Sequence, residues 1–144
     1  MDQLKLKNQI CFPFYALSRL ITRAYQPHLE KLGLTYPQYL VLLVLWEKDG
    51  VAVQDISQKL ILNTNTLTPL LKRMESLGLI KREKDTKDER KVMIYLTQQG
   101  ITLQNAAASL PEKLVGNMGD ISMELDELLA MRDKIQEWIG CKED

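Results

Sequence analysis

The sequence is poor in the residues from which covalent and metal-bound scaffolds are made. Two cysteines, at positions 11 and 141, and one histidine, His28, stand among 144 residues. Cysteines so few and so far apart exclude a disulfide framework and a zinc site, and His28 reads as a structural residue of a first helix. No metal-ligand cluster, Gly-rich phosphate loop or Ser/His/Asp set is apparent, so no metal, cofactor or catalytic centre is expected. Long hydrophobic runs are also missing. The longest, residues 40–46, falls well short of the ~18–20 apolar residues that span a bilayer. The N-terminal MDQLKLKNQI carries charge and lacks the apolar block of a secretory signal. These absences predict a cytoplasmic protein without a membrane partner. Repeats, low-complexity tracts and flexible linkers are lacking too.

Net charge is the last absence, since 19 Lys and Arg balance 19 Asp and Glu. The balance is not local. Residues 64–97 hold eight bases against five acids, a surplus of +3, whereas residues 112–144 hold four bases against nine acids, a deficit of −5. Phosphates respond to the field within a Debye length of ~8 Å, so a dipolar chain of zero net charge can still hold nucleic acid at one end.

What is present is a chain with 45% hydrophobic composition, enough for one domain with a core over residues 1–144. Ile10, Phe14, Leu17, Ile21, Ala24, Tyr25, Leu29 and Leu32 recur at three- and four-residue steps and predict a helix over residues 8–32, ended by Gly33. Thr35 and Gln38 have capping-box spacing, opening a helix to about residue 48 that is apolar nearly all round and belongs at the domain's centre. Residues 53–60 predict a short third helix. Thr97 or Gln98 opens a helix to about Leu110, where Pro111 is expected to interrupt; Gly116 and Gly119 weaken the stretch beyond it. Ser122 then caps a last helix bearing Leu125, Leu128, Leu129, Ile135, Trp138 and Ile139.

The richest segment is residues 63–97. Asn63 or Thr64 can cap a helix along which Leu67, Leu70, Leu71, Met74 and Leu77 recur before Gly78 stops it. The other face carries Thr64, Asn65, Thr66, Thr68, Lys72 and Arg73, groups suited to base edges and phosphates. Residues 79–83 and 92–96 read as strands joined by a charged tip that includes Lys84, Asp85, Lys87, Asp88, Glu89, Arg90 and Lys91. A polar-faced helix followed at once by a basic hairpin is the layout of a winged helix-turn-helix. By pattern alone the charge run suits a solvated face equally well.

Cys11 precedes Pro13, which suits a first helical turn because its missing N–H would be unpaired there anyway. The free N–H groups of such a turn favour anionic sulfur, and a thiolate attacks peroxide oxygen to give a sulfenic acid. On general grounds a lone cysteine between such neighbours as Phe12 and Phe14 is more often an inert small hydrophobe.

Residues 67–80 (LTPLLKRMESLGLI) and 88–97 (DERKVMIYLT) resemble the MarR family of bacterial transcriptional regulators, whose wing carries an Asp-x-Arg motif followed by a strand ending in Leu-Thr; Asp88, Arg90, Leu96 and Thr97 fill it. The stretches around Asn8–Phe12, Tyr15, Ser18, Arg19, Tyr25 and Leu34–Leu40 are similar to its organic-peroxide-sensing OhrR branch. The resemblance implies an α+β, mostly α fold: a winged helix-turn-helix over residues 35–97, flanked by dimerisation helices 8–34 and 98–139. It implies a homodimer on pseudo-palindromic double-stranded DNA, with half-sites about one helical turn (~34 Å) apart. Cys11 would be the peroxide sensor, with Tyr15, Tyr25 and Tyr36 hydrogen-bonding to it, partly across the dimer, and a small thiol as an eventual partner. Arg90 would enter the minor groove oriented by Asp88, with Lys87 beside it. Asn65, Thr66 and Thr68 would face bases, while Lys72 and Arg73 reach phosphates.

Two stretches depart from the branch: Pro13 replaces a small or aliphatic residue, and Asn63-Thr64-Asn65 replaces Asp-Ser-Gly. Gly116 stands where two-cysteine members carry a resolving thiol, so Cys141 reads as a tail residue first and a resolving partner second. A MarR-type regulator released by a phenolic or lipophilic ligand, with Cys11 structural, is the alternative reading. A thiol peroxidase is a third; it fares worse, because turnover needs a reduction route and would leave the basic wing without purpose.

Overall fold

A computed structural model of the chain describes residues 1–116 and 124–140. They fall into two compact units, Met1–Leu114 and Val115–Asp144. Gly119, Ser122 and Cys141 lie outside the described residues.

Helix α1 spans Phe12–Glu30, starting four residues later than the periodicity predicts. The reason is Pro13: it has no N–H to give the carbonyl of residue 9, so the ladder cannot run further back. Residues Asp2–Leu4 and Leu6–Asn8 form 3-10 turns instead, tied by Asn8 Nδ2 donating to the Asp2 carbonyl at 2.7 Å and Gln9 Nε2 to that of Gln3 at 2.6 Å. Gly33, at φ +69°, reverses the chain after α1, a backbone state that costs glycine nothing.

Helix α2 is Tyr36–Glu47. Its expected capping box is present, with Gln38 Oε1 accepting from the Thr35 N–H at 2.9 Å. Gln38, Tyr39, Val41, Leu42, Val44 and Leu45 are all buried, so α2 is the central helix that its all-round apolarity predicts. Helix α3 is Val53–Leu60 and helix α4 is Thr64–Ser76. The α3–α4 turn passes through Ile61 at φ +53°, a conformation that strains a β-branched residue.

The wing strands are β2 (Ile80–Lys84) and β3 (Val92–Leu96), with Ile80 opposite Leu96 and Lys84 opposite Val92. A further strand, β1 (Val51–Ala52), pairs antiparallel with β3 to give the order β1-β3-β2. Two residues wedged between Gly50 and α3 are too short to show a two-residue period, which is why pattern reading passes over them. Leu42, Leu45, Ile56, Leu67, Leu71, Met74, Ile80 and Ile94 fill the core, and Leu29 closes it from the end of α1.

Two expectations are corrected, one on each side of the wing. Leu77 is half exposed as the residue capping α4's C-terminus, outside the apolar stripe. Pro111 interrupts nothing: helix α5 (Gln98–Ala107) ends before it, and Pro111 sits in the first turn of helix α6 (Leu110–Val115), where its missing N–H has no intrahelical acceptor to satisfy. In the second unit helix α7 spans Leu125–Gly140, with Leu125, Leu128, Leu129, Ile135, Trp138 and Ile139 exposed.

Candidate nucleic-acid interface and cysteine site

Helix α4 is built so that one face is locked and the other offered. Leu67, Leu70, Leu71 and Met74 are buried, while Thr64, Asn65, Thr66, Thr68, Lys72 and Arg73 are all exposed. Asn63 caps the helix, its Oδ1 accepting from the Asn65 N–H at 2.9 Å, so this side chain is committed to the backbone. The departure from Asp-Ser-Gly at 63–65 therefore keeps a capping oxygen and adds an exposed amide at Asn65. Pro69 lies on the same exposed face, although sequence reading left it out.

Glu75 joins the last turn of α4 to the wing. Its Oε2 accepts from Arg82 Nε at 2.8 Å and its Oε1 from the Arg82 N–H at 3.0 Å. The side-chain hydrogen bond from Arg82, then the backbone one, hold the Glu75 carboxyl below the usual carboxylate range. A charge-assisted two-point clamp of this kind fixes direction as well as distance.

At the wing tip, the Asp85 N–H donates to the Lys91 carbonyl at 2.9 Å and the Lys91 N–H to the Asp88 carbonyl at 2.9 Å, closing a compact turn. Asp88 Oδ1 accepts from both the N–H and the Nε of Arg90, each at 3.1 Å. The Arg90 side chain is 90% exposed, so Asp88 pairs with the Nε edge of its guanidinium and leaves the rest of the group in solvent. Lys87 is exposed beside it. Between α3, α4 and the wing opens a cleft of about 220 Å³ lined in part by Thr68, Arg82, Arg90 and Lys91. Sequence reading places Arg82 on the first wing strand and Lys91 in the charged tip, without a cleft for either. Their placement on the cleft depends on strand register.

The four residues expected around the cysteine site do not meet within the chain. Cys11 is exposed at the N-cap of α1, and its carbonyl accepts from the Tyr15 N–H at 3.3 Å. The exposed Tyr15 ring lies 5.7 Å from the Arg19 guanidinium. Tyr25 follows 14 residues after Cys11, about 21 Å along the helix at 1.5 Å per residue. There it packs on Tyr36 at 5.0 Å between ring centroids and on Tyr39 at 5.9 Å.

Tyr39 also meets Tyr36 at 6.4 Å and Trp46 at 6.3 Å, and Trp46 Nε1 donates to the Gly100 carbonyl at 3.0 Å. Thr97, capping α5, donates its hydroxyl to the Gly78 carbonyl at 2.5 Å and its N–H to that of Leu79 at 3.1 Å. An unbroken line of contacts thus leads from α1 to the junction of α4 and the wing. Burial raises the phenol pKa of Tyr25; for Tyr36 and Tyr39, burial is joined by repulsion from neighbouring phenolates, so all three remain O–H donors at neutral pH. Sequence reading places Tyr39 within the Leu34–Leu40 motif and Trp46 at the end of the apolar run; their i, i+3 and i, i+7 spacing from Tyr36 and Tyr39 is the signal that places them in one row.

Among the described residues no group of His, Cys, Asp and Glu is placed to hold a metal ion, and no helix is long and apolar enough to cross a membrane.

Residues 23–107 match the family model of the transcriptional regulator SarA/Rot. The organic hydroperoxide resistance transcriptional regulator of Bacillus subtilis is 46% identical over 127 residues, covering 88% of this chain and 86% of that protein. The HTH-type transcriptional regulator MgrA of Staphylococcus aureus is 38% identical, with 93% and 92% covered. The structure of reduced AbfR bound to DNA matches with a TM-score of 0.78 at 35% identity, over 100% of this chain and 99% of that one. AbfR, from Staphylococcus epidermidis, is also known overoxidised on DNA and in a disulfide form.

Proposed function

The chain belongs to the MarR family of DNA-binding transcriptional regulators, and from that membership we propose a cytoplasmic, dimeric repressor that releases its operator when an organic hydroperoxide oxidises Cys11. The observation that carries this reading is the position of Cys11. It is solvent-exposed at the cap of a helix whose residues Phe14, Leu17 and Ile21 are exposed too. A second copy laid along that face would cover the stripe and bring one protomer's Cys11 toward the other's Tyr25 and Tyr36. The name of the Bacillus subtilis relative and the several oxidation states of AbfR support the same chemistry.

The step is stoichiometric. The Cys11 thiolate attacks one peroxide oxygen, an S–O bond forms as the O–O bond breaks, and the alkoxide leaves and takes up a proton as alcohol. Sulfur loses two electrons and the hydroperoxide gains them, giving a sulfenic acid. A small thiol then displaces water from it to form a mixed disulfide. A 100-fold loss of operator affinity needs about 2.7 kcal/mol of differential binding, which a bulky adduct wedged against Tyr25 and Tyr36 supplies more readily than a single oxygen. The row Tyr36–Tyr39–Trp46–Gly100 offers the route to the wing junction.

Arg90 and Lys87 on the wing, with Thr64, Asn65, Thr66, Thr68, Lys72 and Arg73 on α4, form the DNA-facing set in this proposal. The test is operator release and intact mass after limiting cumene hydroperoxide. Wild type should gain one oxygen or one thiol adduct on Cys11 and let go of DNA. Cys11→Ser should bind DNA normally and ignore the peroxide. Release of Cys11→Ser by hydroperoxide would sink the mechanism and favour the ligand-released alternative, for which the cleft of about 230 Å³ beside Leu29, Leu34 and Tyr36 offers space.

A further inference from the structure

We infer that Pro69 is a specificity-determining residue that reads the C5-methyl of a thymine in the major groove. It is the sixth residue of α4, past the first turn, where an N–H would have bonded to the Asn65 carbonyl. No residue is costlier at such a position. Breaches of local preference in a folded domain concentrate at functional sites.

Three further observations fix what Pro69 offers. Pro69 is exposed, so the core gains nothing from its ring, while Leu67, Leu70 and Leu71 are buried behind it. Its neighbours at helical spacing are Asn65 and Lys72, both exposed, which puts the ring at the middle of a row running from a base-reading amide to a phosphate-seeking cation. The groups flanking it, Asn65, Thr68, Lys72 and Arg73, are polar or charged, so Pro69 is the wholly apolar surface on this face. Among base edges in the major groove, the thymine methyl is the group that matches an apolar contact, and an Asn amide is the match for adenine N6 and N7. The pair Asn65–Pro69 therefore favours an adenine with a thymine at an adjacent step in each half-site.

This inference rests on α4's exposed face entering the groove and is independent of Cys11. Operator duplexes are first selected from a randomised pool by the full-length reduced protein. Each thymine is then replaced by deoxyuridine, which removes the methyl alone, and affinity is read by fluorescence anisotropy. For wild type, one symmetry-related thymine pair should cost about fourfold per half-site, the value of one buried methyl. Pro69→Ser restores the helix N–H, so its fold is not at risk, and circular dichroism will show helix retained. With this variant the same thymine pair should cost nothing, while other thymines keep their effect. If every thymine costs Pro69→Ser what it costs wild type, the assignment to Pro69 is wrong. Selection with Asn65→Ala separates the two layers. An unchanged selected sequence overturns the face itself, whereas a relaxed one with an unchanged uracil profile for Pro69→Ser overturns Pro69 alone.

Discussion

Helices α1 and α4 carry apolar stripes of the same kind and meet opposite fates. In α4, Leu67, Leu71 and Met74 reach 0–1% exposure, whereas Phe14, Leu17 and Ile21 of α1 keep 48%, 47% and 38%. A helical period states that a face is to be buried and is silent about which chain buries it. Helix α4 finds α2, α3 and the sheet within its own module. Helix α1 reaches that core only through its last turns, at Leu29 and the partly buried Tyr25. Single exposed apolar residues are ordinary; a continuous exposed row marks a surface built for contact. The same division separates the chemistry: capped, clamped side chains on the winged helix-turn-helix, and an exposed thiol at the cap of the helix whose apolar stripe is exposed.

The comparison breaks most sharply under truncation of equivalent leucines. Leu71→Ala should cost about 2–5 kcal/mol of unfolding free energy in urea, as a cavity in a closed core does. Leu17→Ala should leave the unfolding of dilute protein nearly unchanged and instead raise the dimer dissociation constant in sedimentation equilibrium. An equal loss of folding stability for both would show that α1's stripe is covered from within.

Next in size is the wing. Arg90→Ala should weaken operator binding by about 1–3 kcal/mol and flatten its salt dependence, with little change in the melting temperature, because its ion pair with Asp88 lies at the exposed surface. Unchanged affinity at matched salt would remove the wing from the interface.

Smaller effects belong to the helix-turn-helix backbone. Asn63→Ala should lower stability by about 1 kcal/mol through loss of the cap. Ile61→Gly should cost little or raise stability, by up to about 1 kcal/mol, since glycine relieves the left-handed strain while adding freedom to the unfolded chain. Thermal melts of the two variants should move in different directions or by clearly different amounts.

The smallest effect is the pH response of Glu75. Its folded carboxyl titrates below the unfolded value, so the clamp's contribution is complete above about pH 4.3 and is lost as pH falls through the lower folded value. Glu75→Gln should flatten that acid limb, and an identical limb in wild type and variant would detach Glu75 from the wing's stability.

Much of the fold was legible because its signals are local. The Thr35–Gln38 box, the extents of α3 and β3, the Asn63 cap and the stop at Gly78 each depend on residues within a turn of one another. Two misses were also local competitions, each decided by one N–H: Pro13 delays α1, and Pro111 begins a helix where it was expected to end one. Strand β1 escaped because its pairing with Ile94 and Met93 lies some forty residues away. On the site, the exposed face of α4 was readable from spacing, and the Asp88–Arg90 pair from the resemblance of the wing motif. The packing of Tyr25 on Tyr36 and Tyr39 was not, because it depends on how α1 crosses α2.

The sequence by itself determined the helices, the caps, the buried side of α4 and the residues that could face a groove, since period and capping are set by covalent geometry within a few residues. Only the tertiary structure decided that Arg82 clamps Glu75, that Trp46 reaches the Gly100 carbonyl, and that Tyr25 of α1 packs with Tyr36 and Tyr39. Those placements come from strand register and from how helices cross, and such long-range contacts leave no period in the chain to be read.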